Sequence, residues 1–446
     1  MYEDLRSSLV KDVESIHEEL KRCRRDFHKY AEPGWLEIRT TSLIARRLTN
    51  LGYKVLVGEN VCKDEARLGL PSQEKMDFYY QEALKTGGDK EFIESAKNGF
   101  TGAIGILECG EGPVTALRFD IDALGVQEDD SLMHIPTKEG FASIHPGVMH
   151  ACGHDGHASI GLGVADILMR HKKDLRGSIK LIFQPAEEGV RGARSIVENG
   201  HLDGVQTVLA CHLTGRKNQD DMGYDFWPGS GGALATTKID VVYHGRSAHA
   251  GAAPEHGKNA LLAAATAALN LAAISRHSDG RTRINVGTLH AGTGRNVIPD
   301  IAKMQIEVRG ETDKINDFLE KSAYRIIKAA AEMYECSSET IVAGSCPSLE
   351  SDVSFMKQIK DVTDGLGGLR VQPKLRMTMT GSEDYSYMMK RVQEQGGRAS
   401  MMRILGKTEA PNHNGCFDYN EDEMLPKAVL AFCAVVCDIN GKDGSN

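Results

Sequence analysis

The sequence predicts an α/β protein: a catalytic domain built on a mostly parallel sheet, interrupted by a smaller inserted domain of βαββαβ order. Three observations carry this expectation. Short β-rich runs alternate with helical windows over residues 102–210, a glycine-rich break stands at Trp227-Pro228-Gly229-Ser230-Gly231-Gly232, and a different order of elements follows it. Strands that alternate with helices pair in parallel and are covered on both faces. A length of 446 residues with 41% hydrophobic content exceeds one ordinary core, so two unequal domains are expected.

In chain order, Leu9, Val13, Ile16 and Leu20 form one helical stripe, and a second apolar series through Ile44, Leu48 and Leu51 stops at Gly52. Residues 61–99 are polar and punctuated, and read as an insertion carrying surface helices within 76–96. Strands are expected at 102–107, 114–119, 178–183 and 207–210, with helices at 158–170 and 192–199. After the glycine-rich break come strand 238–243, helix 259–274, strands 283–289 and 302–309, helix 313–335 and strand 339–342, the split βαβ or ferredoxin-like order. Helices 352–366 and 423–440 return the chain to the first domain. The boundaries are therefore 1–230 and 344–446 for the two parts of the catalytic domain, and 231–343 for the inserted one.

A formal net charge of -9 argues against nucleic acid or an anionic membrane as partner, since both call for basic patches. No apolar run reaches the roughly 18 residues of a membrane span. The start, Met1-Tyr2-Glu3-Asp4-Leu5-Arg6, lacks the apolar segment of a secretory signal. Ten cysteines scattered from Cys23 to Cys437 then read as reduced thiols of a cytoplasmic protein.

The densest chemistry is His150-Ala151-Cys152-Gly153-His154-Asp155-Gly156-His157, a thiol, three imidazoles and a carboxylate ahead of a helix. Thiolate, neutral imidazole and carboxylate are the protein donors of a divalent metal. Gln184-Pro185-Ala186-Glu187-Glu188-Gly189 follows a strand, so both carboxylates project from the C-terminal edge of the sheet, where such sheets place their sites. One glutamate can bind metal while the other moves protons, and spacing alone does not say which. Cys211-His212 and Asn412-His413-Asn414 each read as an ordinary loop when taken singly; together they supply donors from distant segments. Ser247 and His249 lack the Gly-x-Ser-x-Gly elbow of a serine hydrolase, and Gly292-Thr293-Gly294 is too short for a phosphate loop.

Six motifs in order, Asp120-Ile121-Asp122-Ala123-Leu124, Cys152 to His157, Pro185-Ala186-Glu187-Glu188, Gly245-Arg246-Ser247-Ala248-His249-Ala250, Gly294-Arg295-Asn296-Val297-Ile298-Pro299 and Gly381-Ser382-Glu383-Asp384, resemble the amidohydrolase branch of the metallo-aminoacylase and carboxypeptidase superfamily. Arg67-Leu68-Gly69-Leu70-Pro71, Gly99-Phe100-Thr101-Gly102 and Glu139-Gly140-Phe141-Ala142-Ser143 are similar to the members of that branch that cleave aminobenzoyl-glutamate. The resemblance implies a zinc-peptidase-like catalytic domain, a lid and dimerisation domain, and a divalent metal, two ions of Mn²⁺ or Zn²⁺. It implies Cys152, His154, Glu188, His212 and His413 as metal ligands and Glu187 as general base. It also implies His249 as an oxyanion stabiliser, often working in a partner subunit's site, and Asn296 and Arg309 as holders of a substrate carboxylate. Where the wider superfamily has His-x-Asp, this chain has Arg118-Phe119-Asp120, so Asp120 is expected to be structural. The implied substrate is a small N-acyl amino acid, and the implied assembly a homodimer, or a heterodimer with a homologous subunit.

Overall fold

The computed structural model describes residues 2–216 and 221–442. The opening apolar stripe folds as two helices, Tyr2–Ser15 and His17–Lys29, which bury Leu9, Val13, Ile16 and Leu20. The third helix, Ile38–Leu51, stops where the sequence predicts: Gly52 takes φ 91°, a left-handed cap that a β-carbon would strain.

The larger sheet has seven strands, in the order Lys54–Val57, Ala103–Glu108, Ser178–Gln184, Val114–Asp120, Thr207–Gly215, Arg398–Gly406 and Phe226–Trp227. The four strands from Ser178–Gln184 to Arg398–Gly406 run parallel to one another, and the pairings outside them are antiparallel. The sheet is thus mixed, where the sequence suggested a mostly parallel one. The reason is local: the link at 109–113 is too short for a crossover, so Ala103–Glu108 must run against Val114–Asp120. Thr207–Gly215 is buried along its whole length, as a strand covered on both faces must be. On one face, helices His154–Arg170 and Glu421–Asn440 pack with the opening helices over Leu117, Phe119, Phe183 and Phe432.

A second sheet of four strands, in the order Ser337–Cys346, Ala235–His244, Ile301–Gly310 and Thr282–Ala291, is antiparallel throughout. Helices Ala260–Ala272 and Asp313–Met333 close its core around Tyr243, Ala264, Val308 and Ile327. Asn259 and Thr312 cap these helices through their side chains. The chain order is the βαββαβ read from the sequence. Gly229–Ala233, on the way out of the large sheet, lies between Leu349–Glu350 and Arg376–Thr378, on the way back.

The insertion folds as helix Gln73–Lys85 and a 3-10 turn at Glu94–Gly99, with a small core of Leu36, Ile38, Met76, Tyr79, Ala83, Ile93 and Ala96. Its loop reaches the rest of the protein through two backbone carbonyls: Trp35 Nε1 donates to Leu68 O at 2.8 Å and Arg191 Nη1 to Gly69 O at 2.9 Å. Among the described residues no helix is long and apolar enough to cross a membrane.

Candidate metal centre

Three parallel strands end side by side, and each delivers one piece of the cluster: Asp120 and Asp122 after Val114–Asp120, Glu187 and Glu188 after Ser178–Gln184, and His212 within Thr207–Gly215. The segment before helix His154–Arg170 brings Cys152 to the same edge, with Gly153 in a left-handed conformation at φ 89° where the helix starts. His413, itself at φ 65°, arrives from the far end of the chain, held by a bond from its N–H to Ala151 O at 2.8 Å.

The donor atoms converge. One atom each from Cys152, His154 and His212 lie within 4.8 Å of one another; so do those of Cys152, Glu188 and His413, and those of His154, Glu187 and Glu188. Cys152 Sγ is 3.4 Å from His212 Nε2, and His413 Nε2 is 3.5 Å from Glu188 Oε1. Two donor sets therefore meet at Cys152. The five residues that the resemblance implied as metal ligands, together with Glu187, are brought to one place.

Backbone carbonyls fix the imidazoles. His154 Nδ1 lies 2.9 Å from Asp122 O and His212 Nδ1 lies 2.6 Å from Leu213 O. A carbonyl only accepts, so Nδ1 carries a proton in each ring and Nε2 is the nitrogen left for the cluster. The buried His154 Nε2 has no hydrogen-bond partner, and neither has Glu188 Oε1. Burial first, then the Arg403 charge, pushes His212 well below the ordinary imidazole range, which keeps it in its neutral, ligating form. Orphaned, inward-facing N and O donors beside a thiol fit a divalent metal.

Asp120 and His157 also approach His154, but both are already engaged. Asp120 pairs with Arg118 at 2.6 Å and bonds His157 Nδ1, while His157 Nε2 accepts from Leu213 N at 3.0 Å. Both carboxylate oxygens of Asp120 thus have protein partners.

The turn that carries the two glutamates is held from beneath. Asp122 accepts from Glu187 N at 3.0 Å and from Glu188 N at 2.9 Å, and Glu37 accepts from Ala186 N at 2.8 Å. Glu187 is buried, and its carboxyl is pushed well above the usual range by burial and by the nearby Glu383, Glu188 and Asp384. Arg118, almost wholly buried, spans Asp120, Glu383 at 3.0 Å and Asp384 at 3.2 Å. Asp122, Glu383, Asp384 and Arg118 entered the sequence reading only as parts of motifs. The available signal was position, since Asp122 directly follows a strand whose end faces the site.

Three expected residues stand elsewhere. His249 is exposed and its Nδ1 accepts from Gly251 N and Ala252 N at 3.2 and 3.1 Å. Asn296 lies beside it, its carbonyl accepting from Ala250 N at 2.9 Å. Arg309 is held on its own strand by Glu307, through contacts of 2.9 and 3.0 Å.

A buried thiol, imidazole and carboxylate cluster at the C-terminal edge of an α/β sheet, with a protonatable glutamate against it, defines a metal-dependent hydrolase. The chain belongs to Peptidase family M20/M25/M40, whose model matches residues 116–438, and it is an enzyme that acts on amides. It is 42% identical to a p-aminobenzoyl-glutamate hydrolase subunit of Escherichia coli (strain K12), over 95% of this chain and 98% of that one. It is also 42% identical to an indole-3-acetyl-aspartic acid hydrolase of Enterobacter agglomerans, over 95% and 97%. Among solved structures, an aminobenzoyl-glutamate utilization protein from Klebsiella pneumoniae superposes with a TM-score of 0.83 at 35% identity, covering 98% of this chain and 100% of that one.

Proposed function

We propose that this enzyme hydrolyses the amide bond of N-acyl amino acids, with p-aminobenzoyl-glutamate the first substrate to test. The observation that carries the reading is Glu187: a buried carboxyl whose proton affinity is raised by burial and by its acidic neighbours, within 4.8 Å of donor atoms on His154 and Glu188. Glu188 instead faces His413 and Cys152, so the pair divides its work as the sequence left open. Cys152, His154, Glu188, His212 and His413 would hold the metal, and two ions suit two donor sets that meet at Cys152. Thiolate and imidazole favour Zn²⁺, and the carboxylates admit Mn²⁺. A divalent metal, when bound, supplies Lewis acidity at the substrate carbonyl. Glu187 takes the proton of the attacking water and passes it to the leaving nitrogen.

The substrate is supported by the names of relatives that share nearly the whole chain. The similar identity to a hydrolase named for indole-3-acetyl-aspartic acid makes other N-acyl amino acids the alternative. We assign 1–230 and 344–446 to the catalytic domain and 231–343 to a ferredoxin-like lid and dimerisation domain; the four-stranded sheet supports this division, its strand Ser337–Cys346 running three residues past the boundary. His249 and Asn296 sit together on that domain, with no polar contact to the metal cluster among the described residues. This arrangement favours a homodimer, or a heterodimer with a homologous subunit, in which they serve a neighbouring site. All ten cysteines are free thiols, which suits a reducing, cytoplasmic setting.

The test is Glu187→Gln on metal-loaded protein. Turnover of p-aminobenzoyl-glutamate should fall about 10²–10⁴-fold, the usual worth of a positioned acid-base group, with metal content retained. Turnover at the wild-type rate would refute the role of Glu187. If the wild-type chain acts on hippurate or indole-3-acetyl-aspartate but not on the aminobenzoyl compound, the substrate assignment fails and the reaction class stands.

A further inference from the structure

Arg403 is a buried cation without an acid partner at the edge of the metal cluster. It lies on Arg398–Gly406, paired across the parallel ladder with His212, so its side chain leaves the sheet on the same face as that imidazole. Its residue exposure is 8%, the same as for Cys152, His212 and Glu187. Nε donates to Ser230 Oγ at 3.0 Å, and Nη2 meets only thioethers, Met379 Sδ at 3.0 Å and Met401 Sδ at 3.7 Å. The other deeply buried arginines are fully answered: Arg118 by Asp120, Glu383 and Asp384, and Arg24 by Asp155, Asp418 and Glu421. No carboxylate lies within ion-pair distance of Arg403 among the described residues. A guanidinium in such a place is costly unless an anion completes it, and thioethers are weak acceptors.

We propose that Arg403 binds the α-carboxylate of the substrate and so selects N-acyl amino acids over neutral amides. The inference rests on the proposed reaction and deepens it. In an N-acyl amino acid that carboxylate is two bonds from the scissile nitrogen, so its reader must stand directly beside the cluster that faces the amide. Arg403 meets this condition through its pairing with His212. Arg309 has both arms of its fork occupied by Glu307 and no contact with the cluster. A guanidinium fork matches a carboxylate through two parallel hydrogen bonds, with a strength that grows as water is excluded.

The experiment compares Arg403→Gln and Arg403→Lys with wild type on N-benzoyl-glutamate and on its analogue with the α-carboxylate replaced by a carboxamide. Metal content is measured for each protein, and binding of N-benzoyl-glutamate to each Glu187→Gln background is followed by calorimetry. Wild type should favour the carboxylate at least about tenfold in kcat/KM, and Arg403→Gln should lose that preference through KM at unchanged metal content. Arg403→Lys, which keeps charge but not the fork, should fall between them. An unchanged preference in Arg403→Gln overturns the proposal. So does an equal loss on both substrates with lower metal content, which would mean that Arg403 only balances the Cys152 thiolate. If wild type hydrolyses neither compound, the proposed reaction fails and calorimetry decides: binding lost on Arg403→Gln supports the carboxylate site, and equal or absent binding in both overturns it.

Discussion

Asp122 makes no contact with any reacting atom in the proposed chemistry, yet it should be among the most sensitive positions in the protein. Its carboxylate accepts from the backbone of Glu187 at 3.0 Å and of Glu188 at 2.9 Å, one bond to each oxygen. Replacing it by asparagine keeps one acceptor and turns the other into an amide that faces an N–H. One buried donor then goes unanswered, at a cost of about 1–3 kcal/mol. The same turn carries two strained residues, Ala186 at φ 51° and Val190 at φ 60°. Left-handed backbone outside glycine costs on the order of 1 kcal/mol per residue and persists only when neighbours over-determine it. Loosening one of the two clamps should let the turn relax, shifting both glutamates. For Asp122→Asn we expect a stability loss of about 2 kcal/mol in denaturant unfolding, since the lost bond is partly offset by relief of the turn. Turnover should fall about 10²-fold, the price of a displacement on the order of 1 Å at a catalytic group. Metal affinity should fall about tenfold or more, as for other residues that orient ligands. The assays are urea unfolding, elemental analysis after dialysis and steady-state hydrolysis. Turnover within about threefold of wild type, with full metal content, would refute the idea that this clamp sets the geometry.

Further outcomes follow from the same contacts. Arg118→Met strips the counter-charge from buried Asp120, Glu383 and Asp384 and should destabilise the protein by about 3–5 kcal/mol; a change below about 1 kcal/mol in equilibrium unfolding would contradict the network. Burial opposes the Glu128 carboxylate, but hydrogen bonds from His134 and His28 outweigh it and hold its pKa down to about 2. The folded value lies below the unfolded one near 4.5, so the stability that Glu128 contributes is complete above pH 4.5 and drains as pH falls towards 2. Glu128→Gln should flatten the loss of stability in that window, and an unchanged acid limb in pH-dependent unfolding would show that the two histidines contribute nothing there. Gly192→Ala would set a β-carbon 1.8 Å from Pro185 O, and the displaced turn should lower both stability and turnover; an alanine variant with wild-type melting and rate would count against that packing.

The parts legible in the sequence were those in which neighbours along the chain are also neighbours in the site. Cys152 and His154 share a helix start, Glu187 and Glu188 a turn, and the residues of each motif stay together when the chain folds. Helix ends were legible where a glycine or a capping residue marks them, as at Gly52 and Thr312. The strand Arg398–Gly406 was not read as one. Its Ala399-Ser400-Met401-Met402 core has little intrinsic strand preference, and only its place between Thr207–Gly215 and Phe226–Trp227 makes it extended. With that strand missing, Arg403 could not be set opposite His212. Direction within the sheet went unread too, although the short link at 109–113 already marks one reversal. The difference in burial between Glu187 and Glu188 also arises only when Glu383 and Asp384 come in from nearly two hundred residues away.

Asp120 and Cys152 stand in different relations to this cluster. The Arg118 guanidinium bonds one oxygen of Asp120 and His157 bonds the other. An anionic donor is still needed beside two neutral imidazoles if a divalent charge is to be offset in a buried place. The Cys152 sulfur lies within reach of His154 and His212 on one hand and of Glu188 and His413 on the other. Asn412 Nδ2 donates to the sulfur at 3.2 Å. Asp120 is thus tied to Arg118 and His157, while Cys152 offers its sulfur to both donor sets.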